Sequence, residues 1–175
     1  MKSFQIRMLS PADALALLQF ELENRDWFES AIEARLGSFY SIEGVNRHIA
    51  ELIEQYDCGT AYPAVIIDSE GEILGRANLK NHDHVLKSAE LGYRIAHAHT
   101  RQGLASTALS HLIAIARVEW NLEQLFAYVS DNNTGSIQVL KKAGFVADQS
   151  ISELTQVQGN TLSGHRYSLL LNANL

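Results

Sequence analysis

Cysteine is nearly missing from this 175-residue chain: there is one, Cys58, so no internal disulfide can form and nothing points to an oxidising compartment. Cys58 sits between Asp57 and Gly59 without a histidine beside it, which suits a spectator thiol better than a nucleophile. Basic residues are scarce as well. Fourteen lysines and arginines stand against 20 aspartates and glutamates, for a net charge of −6, and no Lys/Arg run breaks that balance. Nucleic acid is therefore not expected as a partner. No apolar stretch approaches membrane-spanning length, and Met1-Lys2-Ser3-Phe4 does not open a signal segment. The expected compartment is the cytoplasm, with no membrane partner.

Repeats, low-complexity segments and interdomain linkers are also lacking. The expectation is one domain, 1–175, long enough to bury about two-thirds of its unfolded surface. Two histidine pairs, His82/His84 around Asp83 and His97/His99, have no third ligand at a zinc spacing, so they read as solvated loop residues and no metal is expected.

What is present is an ordinary globular composition, 46% apolar and 19% charged. Phe4, Ile6 and Met8 alternate as a first strand, and Ser10-Pro11-Ala12-Asp13 starts a helix continued by Leu15, Leu18 and Leu22. The segment from Glu23 to Glu29 is polar around Trp27 and Phe28 and shows no period. Ser41 caps a helix with Ile42, Val45, Ile49, Leu52, Ile53 and Tyr56 on one face. A hairpin follows over 62–68 and 72–79, then a polar loop at Asn81-His82-Asp83-His84. Beyond residue 124 come a strand at 125–129, a helix capped by Asn133 and closed by Gly144, and two strands over 151–157 and 161–171 joined at Gly159-Asn160.

The centre of the chain is more specific. Leu91, Tyr93 and Ile95 alternate with Glu90, Gly92 and Arg94 as a strand with one apolar face, and Gly103-Leu104-Ala105 opens an amphipathic helix through Ala108, Leu112 and Ile115. A strand, a turn and a glycine-entered helix gather free backbone N–H groups at a positive helix end, which suits a phosphate or pyrophosphate. An ordinary strand-to-helix turn has the same pattern. A nucleotide-binding P-loop is disfavoured, because no Gly-Lys-Ser/Thr follows Gly103.

On these residues the chain resembles the GNAT N-acetyltransferases. Thr100-Arg101-Gln102-Gly103-Leu104-Ala105 is similar to their Arg/Gln-x-x-Gly-x-Gly/Ala loop, which holds the pyrophosphate of acetyl-CoA. Asn133-Thr134-Gly135-Ser136 and the later Gly144-Phe145 resemble the helix that follows. The resemblance covers roughly 62–145 and departs at Thr100, where an arginine or glutamine is expected; Arg101 is the candidate substitute. It implies an α/β (α+β) GNAT-like fold: a mostly antiparallel mixed sheet of six or seven strands with helices on both faces.

It further implies an acetyl-CoA site drawn from Ile95, Thr100, Arg101, Gln102, Gly103, Leu104, Ala105, Ser106, Asn133 and Ser136. The subgroup that acetylates the N-termini of ribosomal proteins is the nearest in pattern. It points to Glu90, in Glu-Leu-Gly-Tyr, as the base, and to Trp27, Phe28 and Tyr93 on the acceptor side. A charged edge residue paired with Arg94 or a lysine is the competing reading of Glu90, and core packing is the competing reading of Trp27 and Phe28. Many family members use a tyrosine as acid at the position of Leu140; Ser136 would then support the leaving thiolate. The implied activity is acetyl transfer to a primary amine, with a protein N-terminus as leading acceptor. A polyamine or small-amine acetyltransferase and a non-catalytic acyl-CoA sensor are the alternatives. A monomer or homodimer is expected.

Overall fold

The computed structural model describes residues 4–171. Its frame is a seven-stranded sheet in the order β1-β2-β3-β4-β5-β7-β6. The strands are β1 (Phe4–Met8), β2 (Tyr62–Asp68), β3 (Ile73–Asp83), β4 (Ser88–Ile95), β5 (Gln124–Ser130), β6 (Val146–Val157) and β7 (Asn160–Leu170). Five of the six neighbouring pairs are antiparallel and one, β4 with β5, is parallel. That pair is joined by α4 (Leu104–Val118), as a parallel connection requires a crossover. The other helices are α1 (Ala14–Glu23), α2 (Arg25–Glu29), α3 (Ile42–Asp57) and α5 (Thr134–Lys142).

Alternation along the strands assigns the two faces. Leu91, Ile95, Leu125, Ala127 and Tyr167 point to one side, where Leu104, Ala108, Leu112 and Ala116 of α4 and Leu140 of α5 complete the larger core. Val65 and Ile73 point to the other side, under Leu17 and Phe20 of α1, Phe28 of α2 and Val45 and Ile49 of α3. The sheet thus lies between two helical layers, as expected of an α/β sandwich.

Local chemistry explains most element ends. Asp13 reaches back to the Ser10 amide at 2.8 Å and pairs with Arg7 at 2.6 Å, so the first helix begins as a 3-10 turn over Pro11–Asp13. Ser41 accepts from the Gly44 amide at 3.0 Å. Gly44 is required there, because a Cβ would stand 2.2 Å from the Ser38 carbonyl oxygen.

Three expectations change. The unpatterned stretch after residue 23 contains α2, five residues long. The polar segment at 81–83 belongs to β3, whose pairing with β4 is interrupted by a bulge between Lys80 and Asp83, where Asn81 takes φ 53°. The last hairpin turns at Gln158-Gly159, both at positive φ (51° and 79°), rather than at Gly159-Asn160. Of the histidines, His82 stacks on Trp120 at 4.8 Å and meets His84 at 4.0 Å.

Candidate active site

The parallel pairing of β4 with β5 lasts for three positions, Ser88↔Gln124, Ala89↔Leu125 and Glu90↔Phe126. Both strands then continue, β4 to Ile95 and β5 to Ser130, without pairing to each other. β5 stays in register with β7 along its whole length, from Gln124↔Leu170 to Ser130↔Gly164. The sheet therefore opens beyond Glu90 into a crevice at the carboxyl ends of its two parallel strands. In open α/β sheets this is where ligands bind, because two helix N-termini converge there.

The first of these is α4. Arg101 and Gly103 both adopt left-handed backbone, at φ 60° and 84°. A Cβ on Gly103 would meet nothing within 4 Å, so glycine is used for its dihedral and not for space. The loop's polar side chains fold back on its own carbonyls: Thr100 Oγ1 donates to His97 O at 2.9 Å and Gln102 Nε2 to Ala98 O at 3.1 Å. No side chain caps the first turn, so the N–H groups of Leu104, Ala105 and Ser106 have no intrahelical partner. These backbone donors, with the exposed Arg101, fit a pyrophosphate, and Thr100 is a loop brace. Leu104, 4% exposed, pins the turn to the core beside Ile95.

The second N-terminus is α5, where Asn133 Oδ1 accepts from the Ser136 amide at 3.1 Å. Tyr93 points to this face, together with Leu91 and Ile95. Its hydroxyl is buried without a hydrogen-bond partner. Burial pushes the phenol above its ordinary value and the neighbouring Ser136 hydroxyl opposes that shift, yet the two do not reach hydrogen-bond geometry. Tyr93 was expected on the acceptor side; its side chain lies on the α4/α5 face of the sheet, against the second helix of the crevice.

Glu90 is the last paired residue before the opening and faces the α1–α3 side. Its carboxylate, 14% exposed, meets Lys80 Nζ at 2.8 Å and accepts from Asn81 Nδ2 at 3.0 Å. The lysine pairing anticipated as the alternative is present. Two of about four lone-pair positions are used, which leaves the group able to accept from a water or an ammonium. Trp27 is 42% exposed and donates from Nε1 to the Ile95 carbonyl at 3.3 Å, with His97 4.5 Å from its ring. It closes the far end of β4. Phe28 is 6% exposed and lies 5.3 Å from Phe20, so it packs the second core, with the Arg94 guanidinium 5.0 Å over its ring.

Residues 4–146 match the acetyltransferase (GNAT) domain. The chain belongs to the GNAT acetyltransferases. It is 28% identical over 173 residues to a probable N-acetyltransferase, YjcK, of Bacillus subtilis (strain 168), covering 98% of this chain and 95% of that one. Among solved structures it resembles the ribosomal-protein-S5-alanine acetyltransferase of Vibrio fischeri, with a TM-score of 0.94, 20% identity and coverage of 99% and 96%. It also resembles the spermidine N-acetyltransferase of Vibrio cholerae in complex with CoA and spermine, at a TM-score of 0.82, 18% identity and coverage of 96% and 95%.

As a GNAT acetyltransferase the chain uses acetyl-CoA as acetyl donor. The crevice fits that donor on one face: uncapped N–H groups of α4 for the pyrophosphate, the edge of residues 91–94 that β5 leaves unpaired for the amide-bearing arm, and Ser136 with Tyr93 near its inner end. Among the described residues no group of three His, Cys, Asp or Glu side chains could hold a metal, and no helix is long and apolar enough to cross a membrane. Sequence reasoning anticipated a lysine beside Glu90 but missed Asn81, because the bulge that brings Asn81 back to β4 leaves no pattern. It named Tyr93 and Ser136 separately and did not bring them to the same face, although Tyr93 already shared the apolar face of the strand.

Proposed function

We propose that this GNAT enzyme, acting as one domain over 1–175 and in the cytoplasm, acetylates the amino terminus of a protein. The observation that carries the reading is the opening of the sheet at Glu90, with both helix N-termini on one face and the carboxylate on the other. With the donor on the α4/α5 face, an amine approaches from the side of Glu90. The ammonium gives its proton to Glu90 through a water, and the amine nitrogen attacks the thioester carbonyl carbon. The carbon–sulfur bond breaks as the amide bond forms, and the Ser136 hydroxyl donates to the sulfur as charge develops there. Tyr93, with an unused O–H, is placed to return a proton.

A peptide acceptor is favoured by the breadth of the approach. On the Glu90 side, α1 and α3 pack on β3 and β2, while Tyr128 of β5 is 42% exposed. An extended chain fits this open cleft.

The test is CoA release with peptides bearing free N-termini, spermidine and amino acids as acceptors. Glu90→Gln should lower kcat/KM by roughly 100-fold near neutral pH and recover in part at high pH, where the amine is already neutral. Ser136→Ala should lower kcat roughly tenfold or more and leave acetyl-CoA affinity nearly unchanged. Full activity in both variants would move the chemistry elsewhere; turnover of spermidine alone would replace the peptide by a polyamine.

A further inference from the structure

Behind the acceptor side lies a group of charges that the reaction does not use. Glu21 of α1 is 1% exposed, and three arginines surround it: Arg76 of β3 at 2.9 Å, Arg94 of β4 at 3.2 Å and Arg35, in the segment after α2, at 3.7 Å. One carboxylate cannot balance three guanidiniums. Glu29 of α2 is already taken by Arg25 at 2.8 Å and Tyr40 at 3.1 Å. His48 adds no negative partner: it accepts from Arg76 Nη2 at 3.1 Å, and burial together with the three arginines pushes it down to about 3, so it is neutral.

The excess charge is not fully solvated. Arg76 is nearly enclosed, at 7% side-chain exposure, while Arg35 and Arg94 are each 25% exposed. Burial lowers Arg94 to about 10 despite Glu21. Arg35 Nε is buried without a hydrogen-bond partner. Both heads lie over rings, Arg35 Cζ at 4.1 Å from the Phe39 centroid and Arg94 Cζ at 5.0 Å from that of Phe28. Such stacked, pre-oriented guanidiniums with unused donors match the planar fork of a carboxylate. An open cavity of about 340 Å³ leads to Arg35 and His48, with Arg47, Ser38 and Glu51 also on its wall.

The cluster is aligned with the reacting end of the site. Glu90, Gly92 and Arg94 share one face of β4. Between the two charged residues Gly92 leaves the strand bare, with only the Asn78 amide 3.7 Å from where a Cβ would be. Four residue steps of strand span roughly 13 Å, a distance that an extended peptide covers with its first three residues once the side chain of the third and its hydrogen bond to a guanidinium are included.

We propose that Arg35 and Arg94 receive a carboxylate carried by the acceptor, so that preferred substrates are N-termini followed within two residues by aspartate or glutamate. This rests on the acetyltransferase reading above and sharpens its acceptor. A polyamine presents the wrong charge to this surface.

The measurement is calorimetric titration of the protein, saturated with CoA, with two decapeptides that differ only in Asp or Asn at positions two and three, and with spermidine. The acidic peptide should bind at least about tenfold more tightly than its amide twin. Arg35→Gln should shrink that ratio below about threefold, Arg35→Lys should keep part of it, and 0.5 M NaCl should narrow it. Equal affinities for the two peptides, no binding of either, or tighter binding of spermidine would each overturn the proposal. Failure of the transferase reading is seen separately, as no thermal shift with acetyl-CoA or CoA and no CoA release from any acceptor.

Discussion

The two faces of the sheet solve different problems with different materials. On the α4/α5 face the recognition elements are mostly backbone: the uncapped first turn of α4, left-handed Arg101 and Gly103, and the strand edge that β5 leaves free. Around them the core is aliphatic, from Leu91 to Leu112 and Leu140. On the α1–α3 face the polar work is done by side chains, with Glu21, Arg76 and Asp13 buried among Leu17, Phe20 and Val45. A site made of backbone tolerates side-chain drift, which is why Thr100 can stand where an arginine or glutamine is expected. A site made of side chains changes specificity with single substitutions.

The contrast can be broken most severely at Glu21. Glu21→Gln leaves three guanidiniums without a carboxylate in a partly buried corner, and should cost about 3–5 kcal/mol in a urea melt. A loss below about 1 kcal/mol would show the cluster to behave as a surface network, and the two faces to be alike.

Acid should weaken the same face next. His48 has a folded value of about 3 against an ordinary 6.5, so the unfolded chain takes up the proton first. Stability is then fully present above about pH 6.5 and falls as the pH drops towards 3, by roughly 1.4 kcal/mol per pH unit at its steepest. His111 is shifted down by burial and adds in the same direction, whereas Asp13, lowered chiefly by Arg7, is lost only below the ordinary carboxylate range. Urea melts at pH 7 and pH 5 should show the drop, and His48→Gln should flatten it.

The smallest effect belongs to the donor face. Asn133→Ala removes the bond to the Ser136 amide and should cost about 1 kcal/mol in the same assay, through the helix cap alone.

The asymmetry also explains which parts were legible in the sequence. The donor face rests on local pattern: the alternation of Leu91, Tyr93 and Ile95, the glycine at 103, the stripe of α4 and the cap at Asn133 all declare themselves within a few neighbours. The acceptor face rests on residues that only folding brings together. Glu21, Arg35, Arg76 and Arg94 lie on four separate segments, and no periodicity links them. Short elements hide for a related reason: α2 spans five residues, too few to display a helical period. The end of β3 is invisible because its bulge at Lys80–Asp83 breaks the alternation that would mark a strand.

The three-rung seam between β4 and β5 has a thermodynamic corollary. Among the described residues, strand pairing ties the β1–β4 leaf to the β5–β7–β6 leaf at Ser88–Glu90, extended by Lys87 with Glu123 and Gln124, so the free protein has a short seam through its centre. A donor lying along that gap binds the closed sheet and not the unfolded chain. At a hundred times its Kd it adds about 2.7 kcal/mol to the unfolding free energy. The stability of the enzyme is thereby tied to the supply of its own substrate, and starvation for acetyl-CoA would remove the activity and that added stability together.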